Sequence, residues 1–253
     1  MALSGNLEAQ RRRAALVELA NEPQGLMIEA AAERFGVSSM TIRRDLLELE
    51  AEGRVRRVRG GATAPPRARP FDARLAMRAS AKRTIAEKAL RLVPDSGTIA
   101  LDASTTISTL ASVVGPRTAL SAYTNSFESF QLLLPVEGVT AVLSGGTAEP
   151  TTGSLVGPLA RRSMRSVYFD VFFSSADALD IADGTSEVSI EEAELKQDMA
   201  ENAATTVVCV DSSKLQRRSV ARALERDDIS VIITELEPDD DRLAPYREFA
   251  EVY

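Results

Sequence analysis

Arg43 and Arg44 stand side by side in Ser38-Ser-Met-Thr-Ile-Arg-Arg-Asp-Leu46. A guanidinium offers a rigid fork of N–H donors that fits the major-groove edge of guanine or the oxygens of a phosphate. To be used that way, arginines must sit on the outward face of a firm element. Ile42, Leu46 and Leu49 recur at helical spacing and would bury the opposite face. Ser38 or Ser39 stands where a hydroxyl can cap the free amides of the first turn. Ser39, Met40 and Thr41 then join Arg43 and Arg44 as candidate contacts. Upstream, Met27 to Phe35 has the pattern of a second amphipathic helix, with Gly36-Val37 as the turn between the two. The pair has helix-turn-helix form, with the second helix as the reader of a DNA major groove.

Beyond Gly53, which ends the reading helix, Arg54-Val-Arg-Arg-Val-Arg59 sets Val55 and Val58 among four arginines, and Gly60-Gly61 supplies a hairpin tip. This is a basic wing, in which Arg56, Arg57 and Arg59 are candidates for phosphate contact. Thr41-Ile-Arg-Arg-Asp-Leu46, Leu49-Glu50, Gly53 and Arg59-Gly-Gly-Ala62 together resemble the winged helix-turn-helix of the DeoR family of bacterial sugar-metabolism repressors. Several residue types recurring at fixed spacing over this length make the resemblance specific.

The chain has 253 residues, 44% hydrophobic and 26% charged, which is long enough for two domains and ordinary for a soluble globular protein. No run approaches the length of a membrane span, and no signal-like apolar stretch follows the N-terminal charges, so a cytoplasmic protein is expected. The lone Cys209, within Val-Val-Cys-Val, reads as core, and the chain has no histidine. Disulfides, zinc sites and histidine acid–base relays are therefore poorly supported, and no catalytic residue, metal or cofactor is expected. The net charge of −7 divides unevenly: residues 1–69 carry +3 and residues 70–253 carry −10. A basic head on an acidic body favours phosphate contact through the head alone.

Three domain-level segments are expected: a DNA-binding domain over 1–62, its first helix at Leu7 to Leu19; a linker over 63–80, where Ala64-Pro-Pro-Arg-Ala-Arg-Pro70 breaks regular structure; and an effector-sensing domain over 81–253. In that last domain, helices at 82–92, 105–113, 126–134 and 190–202 alternate with strands at 98–101, 119–123, 139–143, 167–173, 206–210 and 231–234. Such alternation predicts a mostly parallel sheet wrapped by helices. Ligands collect at the carboxyl ends of such strands. Four of these ends carry small polar residues: Asp102-Ala-Ser-Thr-Thr106, Thr124-Asn-Ser126, Ser144-Gly-Gly-Thr147 and Asp211-Ser-Ser-Lys214. Together they suggest an anion pocket, with Lys214 as its cation.

The order of segments also resembles the DeoR family's effector domain, which is similar to ribose-5-phosphate isomerase and CoA-transferase-like folds. The resemblance implies that Asp102, Ser104, Thr105, Thr106, Asn125, Ser126, Gly145, Gly146, Lys196 and Lys214 bind a phosphorylated sugar or similar metabolite. For Lys196, a surface ion pair with Glu191, Glu192 or Glu194 on the same helix is an equally good account. The chain departs from the family in three places. Ser104 replaces a glycine. Ser175 and Ala178 stand where two glycines are usual, making left-handed backbone costly there. Leu215-Gln216 replaces an aromatic residue and a glycine. The expected function is a transcriptional repressor of a sugar or polyol operon, acting as a homodimer or homotetramer on operator DNA and released by its effector. A sugar-phosphate isomerase or deaminase with a DNA-binding appendage is the alternative, with Asp102 or Asp211 as its acid–base group.

Overall fold

The computed structural model describes residues 2–20, 25–51, 54–63, 71–149 and 152–253. Gly53 and the proline-rich stretch 64–70 lie outside the described residues, as does the side chain of Arg56. The chain divides into two compact units, Met1–Arg67 and Ala68–Tyr253.

The first unit contains α1 (Ala2–Ala20), β1 (Leu26–Met27), α2 (Ile28–Phe35), α3 (Ser39–Ala51), β2 (Arg56–Val58) and β3 (Gly61–Thr63). Ile42, Leu46 and Leu49 are completely buried with Leu16, Ile28, Ala31, Val55 and Ala62, so the helical spacing read from the sequence is the spacing of a core. Gly36, at φ 62°, closes α2 and turns the chain into α3. Met27 does not begin α2 as expected. It belongs to β1, which pairs with β3 to make the wing a three-stranded sheet in the order β1-β3-β2. A Cβ on Gly61 would run into the Leu26 carbonyl, so this close approach depends on glycine.

The second unit begins with α4 (Phe71–Ala76) and α5 (Ala79–Ala89), helices that extend into the later part of the stretch expected to be linker. It continues through β4 (Ser96–Leu101), α6 (Thr105–Ala111), β5 (Ala119–Thr124), α7 (Phe127–Leu133), β6 (Val139–Leu143), β7 (Thr147–Ala148), β8 (Leu155–Val156), α8 (Pro158–Arg165) and β9 (Phe169–Ser174). The remaining elements are β10 (Ala178–Asp180), β11 (Gly184–Glu187), α9 (Ile190–Glu201), β12 (Ala203–Cys209), β13 (Ala221–Arg222), β14 (Val231–Ile233) and β15 (Glu251–Val252). Seven strands form one parallel sheet in the order β15-β14-β12-β9-β4-β5-β6.

Alternate residues of each strand face opposite layers, as the pleat requires. Ile99, Leu101, Phe173, Val207 and Cys209 join Ile85, Ile107 and Leu110 of α5 and α6, whereas Ala100, Phe172, Val208 and Ile232 join Met164, Leu195 and Met199 of α8 and α9. Cys209 is core, and burial pushes its thiol pKa well above the ordinary range. Two small antiparallel sheets, β7-β8 and β10-β11-β13, were not foreseen from the sequence, nor was α8.

Because the sheet is parallel, every strand's carboxyl end lies along one edge. From β4 the chain builds outward through β5 and β6, then returns to place β9 on β4's other side. The strand order therefore reverses between β4 and β9, and a crevice at such a switch point is where open α/β sheets bind ligands.

Candidate functional site

In the first unit, Ser38 is the cap of α3: its Oγ accepts the Thr41 amide at 3.2 Å and lies 2.9 Å from Thr41 Oγ1. Thr41 is thereby engaged in the cap, while Ser39 is half-buried. Met40 is 72% exposed, and Arg43 is exposed with no side-chain partner among the described residues. The Arg44 side chain, 84% exposed, makes only a 3.7 Å contact with Glu48 one turn on. Helix α3 thus presents Met40, Arg43 and Arg44 outward, a methyl-bearing group beside two forked donors.

Asp45, the neighbour of this pair, has the opposite fate. It is buried, accepts the Arg12 Nε–H at 2.6 Å and lies 3.5 Å from Arg13, tying α3 to α1. In the wing, Arg57 is held by Glu50, which accepts its Nε–H at 2.6 Å and its amide at 2.9 Å. Those bonds draw the Glu50 carboxyl below its ordinary pKa. Arg59 is exposed and has no acidic partner among the described residues, so the wing arginines expected to act alike differ in their freedom to meet a phosphate.

In the second unit, Asp102 directly follows β4 at the switch point and is almost completely buried. Its Oδ1 accepts the Ser104 amide at 2.8 Å, and its Oδ2 accepts the Ser175 amide at 2.6 Å and the Ser174 hydroxyl at 3.2 Å, both from the end of β9. The Lys196 ammonium of α9 lies 2.9 Å from the same oxygen. Lys196 also donates to the Ser175 carbonyl at 2.7 Å and to Glu187 Oε1 of β11 at 2.5 Å. This corrects the surface-pair account: Lys196 is buried, and its ion-pair contacts are Asp102 and Glu187, while of the glutamates on its own helix Glu192 acts on it only through space.

Burial alone would lower the Lys196 pKa, but Asp102 and Glu187 outweigh it and raise the value. Burial pushes the Glu187 carboxyl up to about 7 against the pull of Lys196, with Glu192 and Asp102 adding to the rise. Two buried carboxylates share one cation, and Glu187 takes the smaller share of its stabilisation.

The other expected site residues surround this node in different ways. Ser104 Oγ accepts the Ile107 amide at 3.1 Å as the cap of α6, and Thr105 and Thr106 are buried in its first turn. Ser126 caps α7, accepting the Ser129 amide at 3.1 Å. Asn125 donates from Nδ2 to the Leu155 carbonyl at 3.2 Å, while its buried Oδ1 has no partner. Gly145 and Gly146 have φ of 68° and 117°. A Cβ on Gly146 would come within 2.6 Å of the Val156 carbonyl, so this pair makes room for β8 and α8.

Lys214 pairs with Asp177 at 3.2 Å and not with the Asp102 loop. The segment 174–177 therefore touches two parts of the site: Ser174 and Ser175 hold Asp102, and Asp177 holds Lys214. No residue of 173–179 has positive φ, so the lost glycines leave no strain there. Among the described non-glycine residues, positive φ occurs at Arg78 and Gln216, and Gln216 is the position where a glycine is usual.

Sequence reasoning missed Glu187, Ser174, Arg78 and Lys82. Arg78 lies 2.8 Å from Asp211 and donates to Ser212 Oγ at 3.2 Å, clasping the start of α5 to the loop after β12. Lys82 is buried and donates to the carbonyls of Arg74 and Met77; burial brings its pKa down to about 8 against the pull of Asp211. Arg74 in turn donates to the Thr152 carbonyl at 3.4 Å. The signal for the last two was a run of cations, Arg74, Arg78 and Lys82, at helical spacing across the end of the stretch expected to be linker.

Residues 12–67 match the DeoR-like helix-turn-helix domain, and residues 77–236 match the DeoR C terminal sensor domain. The HTH-type transcriptional regulator GlpR of Haloferax volcanii is 34% identical over 232 residues, 90% of each chain. The L-fucose operon activator of Escherichia coli K12 is 32% identical over 229 residues, 88% of this chain and 94% of that one. Ribose 5 phosphate isomerase A of Neisseria gonorrhoeae aligns over 53% of this chain and 52% of its own, at 21% identity and a TM-score of 0.37. No described helix is long and apolar enough to cross a membrane.

Proposed function

The chain belongs to the DeoR family of transcriptional regulators, and from that premise we propose that it represses a sugar or polyol operon whose phosphorylated metabolite releases it from DNA. The observation that carries the DNA half is the outward face of α3, where Met40 and the two arginines project from a helix whose other face is core. In this reading Arg43 and Arg44 contact guanine edges, Met40 a thymine methyl, and Arg59 a phosphate. A helix-turn-helix reads one half-site, so the working form is a homodimer or homotetramer on a repeated operator.

The sensing half rests on the polar node at the β4/β9 switch point. The effector's phosphate meets the Thr105–Thr106 turn and Lys214, and the rest of the molecule meets Asp102, Asn125 and Lys196. Coupling is supported by the clasp of Arg78 on Asp211, since α4 and α5 follow the 64–70 connection directly in the chain. An effector with higher affinity for one arrangement of that clasp shifts its population.

The test is to select duplexes from a random pool with the full chain, then titrate phosphorylated sugars and polyols against the selected complex at fixed salt. Release by one of them supports the reading, and failure to enrich any sequence defeats it. Lys214→Ala should keep operator binding but lose about ten- to hundred-fold in effector affinity, the loss of one charge-assisted hydrogen bond. The Asp102–Lys196–Glu187 node also has the acid–base composition of an isomerase, so interconversion of the same phosphosugars is assayed in parallel.

A further inference from the structure

Lys196 donates to Glu187 Oε1 at 2.5 Å and to the Ser175 carbonyl at 2.7 Å, and Asp102 Oδ2 lies 2.9 Å away as an ion-pair contact. Its two carboxylate partners are held very differently. Asp102 is fixed by two backbone amides and a hydroxyl as well as by Lys196. Among the described residues the Glu187 carboxylate has one hydrogen-bond partner, Lys196, through Oε1.

Charge at this node is unbalanced in the same direction. Lys196 faces Asp102 from the end of β4, Glu187 from β11 and Glu192 from its own helix. Glu192 is engaged by Ser154, whose hydroxyl donates to it at 2.6 Å. Lys214, the cation at the end of the loop after β12, is paired with Asp177. The remaining polar atoms are acceptors as well: Glu187 Oε2, and Asn125 Oδ1 in the loop after the neighbouring strand β5, which is buried with no partner among the described residues. A ligand group entering here must bring donors and no negative charge.

We propose that Glu187 sets the specificity of the effector site, admitting an effector whose end opposite the phosphate is an uncharged polyol and refusing one that ends in a carboxylate. This rests on the sugar-phosphate reading above. Hydroxyls donate to Glu187 and Asn125 without displacing anything, whereas a carboxylate meets the negative charge of Asp102, Glu187 and Glu192 around a lysine already paired with two of them. The near-neutral pKa of Glu187 adds a signature: on protonation it becomes a donor and tolerates the carboxylate.

The probes are matched pairs differing only in a terminal CH2OH or carboxylate: glycerol 3-phosphate with 3-phosphoglycerate, ribitol 5-phosphate with 5-phosphoribonate, glucitol 6-phosphate with 6-phosphogluconate. Each is titrated calorimetrically into the full chain and into Glu187→Gln. At pH 8 the alcohol of the recognised pair binds at least about ten-fold tighter than its acid, and Glu187→Gln narrows that ratio to within about three-fold. In the natural chain the ratio also narrows as pH falls from 8 to 6, and comparison within a pair cancels the phosphate's own titration. This pH series decides the matter even if Glu187→Gln does not fold. An acid that binds as tightly as its alcohol at pH 8 overturns the proposal, as does a ratio that neither the substitution nor pH moves. If no member of any pair binds, it is the phosphorylated-sugar reading itself that falls.

Discussion

Replacing Lys196 by methionine keeps the length and packing of the side chain while removing the charge between two buried carboxylates. Taking one partner from a buried ion pair costs about 3–5 kcal/mol, because the remaining charge has neither water nor a counter-ion. For a unit of this size that is a fall in Tm of roughly 6–20 °C. The loss depends on pH. Glu187 has a folded pKa near 7 against 4.5 ordinarily, so between those values the folded state binds the extra proton and stability declines as pH rises. In Lys196→Met the same carboxyl is neutral to still higher pH, so the penalty is largest at pH 8 and shrinks toward pH 5. All four tyrosines, Tyr123, Tyr168, Tyr246 and Tyr253, lie in the second unit and the chain has no tryptophan, so tyrosine fluorescence of the full chain follows that unit alone. Adding Glu187→Gln to Lys196→Met should return about half of the loss. A penalty below about 1 kcal/mol at pH 8, the size of an exposed pair, or a double variant no better than the single one, refutes the picture of a buried shared cation.

Arg43→Ala and Arg44→Ala should each weaken binding to a selected duplex by roughly 1–3 kcal/mol, at one fixed salt concentration, while leaving binding to random DNA nearly unchanged; near-natural affinity in both removes α3 as the reader. Asp45→Ala should destabilise the first unit by about 3 kcal/mol, since it strands Arg12 against α3 while Arg13 keeps Glu48, and amide exchange in α1 and α3 should accelerate while tyrosine fluorescence melts stay put. Gln216→Gly should raise the fluorescence-detected Tm by about 1–4 °C, because a left-handed residue with a Cβ costs about 1–2 kcal/mol that glycine largely avoids; no rise would mean that the bond from its amide to the Tyr246 hydroxyl fixes the conformation anyway.

The reading helix was legible because its three signals are local: a hydroxyl cap, apolar residues three and four apart, and arginines on the remaining face. The parallel strands were legible for the same reason, each being a short apolar run between helical patterns. Lys196 was not, since its nearest neighbours in sequence are glutamates and its real partner, Asp102, arrives from a strand more than ninety residues earlier. Glu187 was hidden in Gly184-Thr-Ser-Glu187, whose small polar residues do not look like a buried strand. Helix α8 was hidden by its composition: only Ala160 and Met164 face the core, and four arginine or serine side chains surround them. Seven residues around Ser175 looked strained because glycines were missing, yet their backbone is ordinary and the positive φ sits at Gln216 instead.

The placement of β4 at the middle of the sheet also orders events while the chain is being made. Its neighbour β5 follows within twenty residues, but β9, the strand on its other side, is about seventy residues away. At the usual speed of a ribosome that is an interval of roughly 4–14 s. Throughout it, one edge of β4 and the carboxylate of Asp102 have no Ser174, Ser175 or Lys196 to meet. The winged helix, encoded entirely in the first 63 residues, is already outside. Each newly made molecule therefore owns its DNA-reading surface before it owns the pocket that regulates it.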